Sequence, residues 1–376
     1  MIEANDVIAE SAPEGTKTVG ARQLKLGMQT LPIAFAALQK FDAIIDTRSP
    51  DEFAEDHLPG AINCPVLDNE QRIQVGTLYK QTSAFDAKKL GAAIVARNIA
   101  CHIDTLFADK PKSWKPLIYC WRGGTRSGAM THILRTIGWN ALQLEGGYKA
   151  WRGQVRTDLE TLPLRFKYRV ICGRTGSGKS RLLDALVLQG AQVLDLERLA
   201  AHKGSVLGDL PDQAQPSQKM FDSRIWLDLS RFDAALPVYV EAESRKVGLL
   251  RVPEVLITTM HQGTCFEVVT PAPLRAKLLR EEYAHLIANP DLLFFKLDCI
   301  KSLHSEARIT EWKTLATAGK WDEFVASMLE HHYDPAYSRS MFSNYQGANV
   351  AAPLEVSDIS PLGFADVAKQ LLVWNT

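Results

Sequence analysis

The sequence has no apolar run of the roughly 18 to 20 residues that a membrane-spanning helix requires. Residues 1–20 are polar and acidic, so they lack the basic segment and apolar stretch of a secretory signal. The six cysteines are scattered, with no CxxC pair and no metal-ligand spacing, which excludes a disulfide framework or zinc-ribbon class. These absences predict a soluble, cytoplasmic protein with reduced thiols and no membrane partner.

The formal net charge is zero, yet the charges are segregated along the chain. Residues 110–181, here called the basic band, hold fifteen Lys or Arg against three acidic residues. A band of this kind attracts polyanions by releasing counterions, and nucleic acid is the first candidate. The alternative is that these cations serve two phosphate-sized anion sites and solvated faces.

With 376 residues, of which 46% are hydrophobic, the chain can form two domains with separate cores. Short β-branched runs alternate with longer helical patterns, which predicts α/β layers around parallel strands. The pattern stops near residue 156 and restarts at residue 166. The predicted organisation is a flexible arm at 1–20, a first domain at 21–156, a linker at 157–165, and a second domain at 166–376 with a helical C-terminal part.

Hydrophobic periodicity predicts most of the elements in both domains. Predicted strands lie at 41–46, 115–119, 141–144, 166–172, 192–196, 238–242 and 292–297. Predicted helices lie at 127–137, 179–188, 216–229, 273–287 and 322–331. Two of these strands, 115–119 and 166–172, run directly into glycine-rich turns, and the candidate chemistry lies in those turns.

The first turn, 120–128 (CWRGGTRSG), places Cys120 at the end of a predicted strand and ahead of a helix. Loop N–H groups and the positive end of the helix would converge on the thiol, where they stabilise a thiolate and hold an incoming anion. We therefore predict that Cys120 is the catalytic nucleophile. Its predicted anion-binding loop consists of Arg122, Gly123, Gly124, Thr125 and Arg126.

Four successive segments resemble the signatures of rhodanese-like domains: 46–53 (DTRSPDEF), 56–63 (DHLPGAIN), the cysteine loop, and 144–151 (LEGGYKAW). The resemblance implies that Cys120 carries a chalcogen as a persulfide or its selenium analogue. The Cys-x5-Arg spacing is one residue longer than the common sulfurtransferase loop and equals that of rhodanese-related phosphatases. A phosphatase therefore stays open, although the absence of an acid in the loop favours a phosphate-bearing chalcogen donor.

The second turn, 173–180 (GRTGSGKS), matches G-x-x-x-x-G-K-[ST] between a predicted strand and a predicted helix. In such a P-loop, backbone N–H groups approach phosphate oxygens, the lysine neutralises terminal phosphates and the serine can bind magnesium. The predicted phosphate-binding residues are Gly173, Arg174, Thr175, Gly176, Ser177, Gly178, Lys179 and Ser180. The motif indicates a pyrophosphate and does not specify what is attached to it.

Acidic residues follow two predicted strands, and one of them is expected to complete a site for a magnesium ion. The candidates are Asp195, Glu241 and Glu243, with Glu197 close to Asp195 in sequence. No structural metal site and no tightly bound cofactor are predicted.

Further segments resemble the tRNA 2-selenouridine synthase family: 75–81 (VGTLYKQ), 194–197 (LDLE), 204–205 (GS) with His202, 240–244 (VEAES) and 332–337 (HYDPAY). The resemblance spans about residues 20–345 and implies a rhodanese-like domain followed by a P-loop NTPase-like domain. It implies that selenium from selenophosphate replaces sulfur in wobble 2-thiouridine of tRNA, through an S-geranylated intermediate made from geranyl diphosphate. The partners would be that tRNA and a selenophosphate-producing enzyme.

Two other functions stay open at the level of sequence. A rhodanese-type sulfurtransferase or Cys-x5-Arg phosphatase fused to a kinase-like P-loop domain would use the same motifs, but small substrates would not require the basic band. A regulatory P-loop switch with an inactive rhodanese module would not need to keep Cys120.

Overall fold

The computed structural model of the chain describes residues 38–337, 345 and 351–374. The predicted arm at 1–20 lies outside these residues. Two separate parallel sheets form the centres of the described part, together with a short two-stranded antiparallel ribbon. This arrangement confirms the predicted α/β class. Among the described residues, no helix combines the length and the apolar character needed to cross a bilayer.

The first sheet has the strand order β2-β1-β3-β4, and all of its strand pairs are parallel. Its strands are β1 (Ala43–Asp46), β2 (Ala61–Asn63), β3 (Pro116–Tyr119) and β4 (Leu142–Gln143). The helices around it are α1 (Pro50–Glu55), α2 (Asn69–Gln81), α3 (Ala84–Thr105), α4 (Thr125–Ile137) and α5 (Gly147–Leu159). Strand β3 is buried along its whole length, so Cys120 follows a strand that is fixed on both faces.

The second sheet is also parallel, in the order β11-β10-β5-β7-β6. Its strands are β5 (Tyr168–Cys172), β6 (Gln192–Leu194), β7 (Val238–Glu241), β10 (Thr264–Val269) and β11 (Ala352–Glu355), and the ribbon pairs β8 (Lys246–Val247) with β9 (Leu250–Arg251). The helices packed around this sheet are α6 (Lys179–Leu188), α7 (Leu196–Ala200), α8 (Gln218–Arg231), α9 (Glu254–His261) and α15 (Pro361–Leu372). The P-loop follows the central strand β5, where ligands bind parallel sheets.

The C-terminal part contains a group of helices with its own apolar cluster. These helices are α10 (Ala272–Glu282), α11 (Ala284–Ala288), α12 (Pro290–Cys299), α13 (Glu306–Thr317) and α14 (Trp321–Met328), and α14 continues into a π-helical turn, Leu329–Tyr333. This agrees with the predicted helical C-terminal part.

Two predicted elements differ from the structure. The predicted strand 292–297 is wrong, because these residues lie within helix α12. A short apolar run does not distinguish a strand from a buried helix, and here Pro290 opens the helix while the Asn289 side chain caps it by accepting from the N–H of Leu292. The predicted helix 273–287 is two helices that meet at Tyr283. Strand β10, next to β5, was not predicted.

The two sheets are joined by packed helices and by ion pairs. The predicted linker, 157–165, contains the end of α5 and a 3-10 turn, Leu162–Arg165. Trp151 of α5 meets Trp226 of α8 edge to face, with ring centroids 6.2 Å apart. Arg152 pairs with Asp222, and the indole N–H of Trp226 donates to Asp158 at 2.7 Å. One apolar cluster therefore continues from the first sheet into the second.

Candidate active sites

The cysteine loop is held by the N-terminal end of helix α5. The N–H groups of Tyr148 and Lys149 donate to the carbonyls of Cys120 and Trp121, at 2.9 and 2.8 Å. Gly147 has φ +54°, and a Cβ there would overlap the backbone of Cys120 and Gly123. The LEGG segment singled out in the sequence thus fixes the path of the loop by close backbone contact.

A hydrogen-bond chain ends on the sulfur of Cys120. The hydroxyl of Ser127, which is fully buried, donates to Cys120 Sγ at 3.2 Å. The side-chain amide of Gln143 donates to Ser127 Oγ at 2.8 Å and also to the carbonyl of Gly123 at 2.6 Å. These hydrogen bonds fix the position of the sulfur in the loop, which suits a nucleophilic role for Cys120. The sequence prediction had assigned no role to Ser127 or Gln143.

The remaining predicted loop residues surround the same point. Gly124 caps helix α4, and Thr125 and Arg126 form its first turn, so the N-terminal end of the helix lies beside Cys120. Arg122 is exposed. Arg126 is mostly buried and forms a bidentate ion pair with Glu52, with Nη1 2.7 Å and Nη2 3.3 Å from the two carboxylate oxygens. Glu52 therefore fixes the guanidinium that the Cys-x5-Arg spacing brings to the loop.

The pair strongly perturbs the pKa of Glu52. Burial alone would raise this pKa, but the hydrogen bond and charge of Arg126 outweigh burial and lower the pKa to about 2. We expect Glu52→Gln to reduce the free energy of unfolding by about 2 kcal/mol at pH 7, because Arg126 would lose its buried partner. Since the folded pKa lies below the ordinary glutamate value of 4.5, the advantage of the parent is full above pH 4.5 and is lost as the pH falls through about 2.

Urea unfolding of both proteins at pH 7, 5 and 3 measures this difference. Glu70→Gln, which changes an exposed glutamate in the first turn of α2, is the matched control. Equal stability of the Glu52→Gln and Glu70→Gln variants at pH 7 would show that the ion pair contributes nothing to the free energy of unfolding.

The P-loop has the geometry that its motif predicts. Gly176 and Gly178 have φ of +76° and +89°, which other residues rarely adopt. The ammonium group of Lys179 donates to the carbonyl of Gly173 at 3.1 Å, so it lies across the loop. Helix α6 begins at Lys179, and its N-terminal end faces the same space. The loop can therefore bind a phosphate group with backbone N–H groups, the helix end and one lysine.

Side chains from later parts of the second domain contact this loop and support it. Arg275 donates to the carbonyl of Thr175 at 2.9 Å and pairs with Asp334, which also pairs with Arg174. Thr270 donates to the carbonyl of Ser177 at 2.8 Å. These contacts keep the loop in one conformation, and neither Arg275 nor Thr270 was predicted.

Three carboxylates meet beside Ser180. Glu197, Glu241 and Glu243 place one oxygen each within 4.8 Å of one another. The hydroxyl of Ser180 donates to Glu241 at 3.2 Å and to Glu197 at 3.4 Å. Burial and the neighbouring carboxylates raise the pKa of all three, that of Glu243 to about 8. Such a group favours a divalent cation, because a cation compensates the charge that the acids otherwise avoid.

The three acids named from the sequence therefore have different positions. Glu241 and Glu243 belong to the cluster, whereas Asp195 caps helix α7 by accepting from the N–H of Arg198 at 2.8 Å. Glu197, which is close to Asp195 in sequence, was not among the three predicted magnesium-side acids. It projects toward β7 because α7 starts directly after β6, and β6 pairs with β7. The adjacency of β6 and β7 is a tertiary fact that the sequence does not contain.

Comparison with known proteins covers both regions. A family model described as a rhodanese-like domain matches residues 32–154, and one described as the tRNA 2-selenouridine synthase AAA domain matches residues 166–290. These matches confirm the predicted order of a rhodanese-like domain followed by a P-loop NTPase-like domain.

Several relatives are named tRNA 2-selenouridine synthase. The protein from Hydrogenovibrio crunogenus is 34% identical over 327 residues, which cover 79% of this chain and 89% of the relative. The protein from Sulfurovum sp. (strain NBC37-1) is 29% identical over 337 residues, covering 80% and 89%. The protein from Nitrosomonas europaea is 33% identical over 251 residues, and there the chain spans 63% of the relative's length.

Proposed function

Because the chain belongs to the tRNA 2-selenouridine synthase family, as its similarity to the Hydrogenovibrio relative shows, we propose that it converts wobble 2-thiouridine in tRNA to 2-selenouridine. The proposed co-substrates are geranyl diphosphate and selenophosphate, and the proposed intermediate is the S-geranylated nucleoside. The observation that carries this proposal is that one chain holds two different loops suited to binding anions. One contains Cys120 with a hydrogen bond to its sulfur, and the other is a P-loop beside a carboxylate cluster.

The P-loop domain is proposed to activate geranyl diphosphate. Lys179 and the N-terminal end of α6 bind the diphosphate and stabilise the charge that develops as it leaves. The sulfur of 2-thiouridine forms a bond to carbon 1 of the geranyl chain while the bond from that carbon to the diphosphate oxygen breaks. The proton of the thiouridine goes to solvent and the diphosphate departs, so the step is balanced without another reactant.

The carboxylate cluster fits a magnesium ion. Glu197, Glu241, Glu243 and the hydroxyl of Ser180 supply the oxygen ligands that this ion prefers. When bound, the ion would neutralise charge on the diphosphate leaving group.

The cysteine loop is proposed to release selenium from selenophosphate. Cys120 attacks phosphorus, a sulfur–phosphorus bond forms, and the phosphorus–selenium bond breaks with its electron pair on selenide. Selenide then displaces geranylthiolate from the nucleoside, and water hydrolyses the phosphocysteine to phosphate. Transfer of selenium onto Cys120 as a selenylsulfide would instead oxidise the selenium, which requires a two-electron oxidant, and its later release as selenide would require a two-electron reductant. Arg126, fixed by Glu52, and the N-terminal end of α4 suit a phosphate group above the sulfur.

The basic band is proposed to contribute to tRNA binding. Part of its charge is neutralised, because Arg126, Arg152 and Arg181 pair with acids that lie outside the band in sequence. Exposed cations of the band are Lys112, Arg122, Lys149, Arg156, Arg165, Lys167 and Arg174. Exposed lysine and arginine support phosphate-backbone binding that weakens as salt rises.

The proposal is tested by mass spectrometry of nucleosides from 2-thiouridine tRNA incubated with the protein and magnesium. We expect geranylthiouridine with geranyl diphosphate alone and selenouridine with both donors, and we expect chelation of magnesium to reduce both products. Unchanged tRNA would refute this function. Hydrolysis of small phosphate esters in the same assay would then indicate a phosphatase, and sulfur transfer from thiosulfate would indicate a sulfurtransferase.

A further inference from the structure

An apolar pocket lies between helices α10, α11 and α14. The pocket has a volume of about 50 Å³, several times the roughly 10 to 15 Å³ needed to hold one water molecule. Its lining is almost entirely aliphatic and aromatic, and includes Leu279, Tyr283, Leu286, Phe324, Met328 and Tyr333. A pocket of this character binds the apolar part of a ligand.

One wall of the pocket also contacts the P-loop. Leu279 lines the pocket, and its side chain lies against Gly176, where a Cβ would be only 2.7 Å from Leu279 Cγ. Arg275, one helical turn earlier on α10, donates to the carbonyl of Thr175. Helix α10 therefore separates the phosphate-binding loop from the pocket by the width of one leucine side chain.

The polar end of the pocket faces the carboxylate cluster. The hydroxyl of Tyr283 lies 3.2 Å from Ser205 Oγ. The adjacent Gly204 lies against the acids, because a Cβ on it would be 2.8 Å from a Glu197 oxygen and 3.2 Å from a Glu243 oxygen. The pocket is thus adjacent to both the P-loop and the proposed magnesium site.

We propose that this pocket binds the hydrocarbon chain of a prenyl diphosphate whose diphosphate occupies the P-loop. A nucleobase fits the pocket poorly, because among the described residues its lining offers few polar groups apart from tyrosine hydroxyls and Arg280. Burying a base without hydrogen-bond partners is unfavourable, whereas burying an aliphatic chain is favourable. This inference rests on the proposed function, in which the P-loop binds the diphosphate of geranyl diphosphate, and it adds the place where the attached chain binds.

Calorimetric titration of the full chain with magnesium and three probes tests the proposal. We expect geranyl diphosphate to bind about 100-fold more tightly than dimethylallyl diphosphate, which has five fewer carbons to bury, and inorganic pyrophosphate to bind more weakly than either. Val325→Trp, which fills the pocket from a half-buried position on α14, should weaken geranyl diphosphate binding at least about 30-fold and leave pyrophosphate within about twofold.

Val187→Trp is the matched control, because the same substitution on α6 lies at an exposed position outside the pocket. Ile287→Trp, from α11, gives a second and independent filling of the pocket. Equal affinity for geranyl diphosphate and pyrophosphate in the parent would overturn the inference, as would loss of both ligands in folded Val325→Trp and Ile287→Trp. Chain-length-dependent binding without modification of tRNA would support the pocket and count against the proposed function.

Discussion

Replacing Cys120 by alanine is expected to lower selenouridine formation at least about a thousandfold, because the variant has no nucleophile to release selenium. Geranylation of 2-thiouridine tRNA should stay within about twofold of the parent, since that step belongs to the P-loop domain. The affinity for tRNA should also change less than about twofold. The measurement is nucleoside mass spectrometry with both donors, combined with a tRNA-binding titration at fixed salt.

Cys101→Ala is the control for this experiment, because Cys101 is an exposed thiol on helix α3. Acid quenching during turnover should also give a phosphorylated peptide containing Cys120 in the parent. Selenium attached to that peptide, with no phosphate, would refute attack at phosphorus. Loss of tRNA binding in Cys120→Ala would refute the assigned catalytic role.

Replacing Lys179 by alanine is expected to lower geranylation of 2-thiouridine tRNA by about a hundredfold or more. The reason is that Lys179, whose ammonium group lies across the loop, stabilises the charge of the departing diphosphate. Conversion of tRNA that is already geranylated should remain within about twofold of the parent, because selenium release uses Cys120. Both rates are measured from the same nucleoside spectra.

Lys277→Ala provides the matched control, since Lys277 is an exposed lysine on α10, the helix that braces the P-loop. A further check mixes the Cys120→Ala and Lys179→Ala proteins in one reaction. If geranylated tRNA can leave one molecule and enter another, the mixture restores selenouridine. Unchanged geranylation by the Lys179→Ala protein alone would refute the proposal that the P-loop binds the prenyl diphosphate.

Buried hydrogen bonds connect the cysteine loop with the P-loop domain. Asp56, which follows α1, accepts hydrogen bonds from Tyr148 at 2.8 Å and from Ser223 of α8 at 3.1 Å. Tyr148 also holds the carbonyl of Cys120 through its backbone N–H. Burial raises the pKa of Asp56, and these hydrogen bonds counteract that rise. A buried polar contact of this kind fixes the orientation of the cysteine loop relative to the P-loop domain.

The sequence by itself determined the parts of this protein that depend on local backbone geometry. Cys120 at the end of β3 and the P-loop between β5 and α6 were both predictable, because a strand, a glycine turn and a helix N-terminus follow one another within about ten residues. The α/β class followed from alternating periodicities for the same reason. The strand prediction for the apolar run at 292–297 was wrong, because the helical state of these residues depends on a capping residue and on packing against α13 and α14.

Only the tertiary structure decided which distant residues complete each site. Glu52 reaches Arg126 across 74 positions and Gln143 reaches Ser127 across 16. Glu197 joins Glu241 and Glu243 because β6 pairs with β7. The proposed prenyl pocket exists because α10 packs against α14 and a separate helix, α11, starts after Tyr283. Such contacts are fixed by strand order and side-chain packing, which no local pattern encodes, whereas the nucleophile and the phosphate loop are set by the residues next to them in the chain.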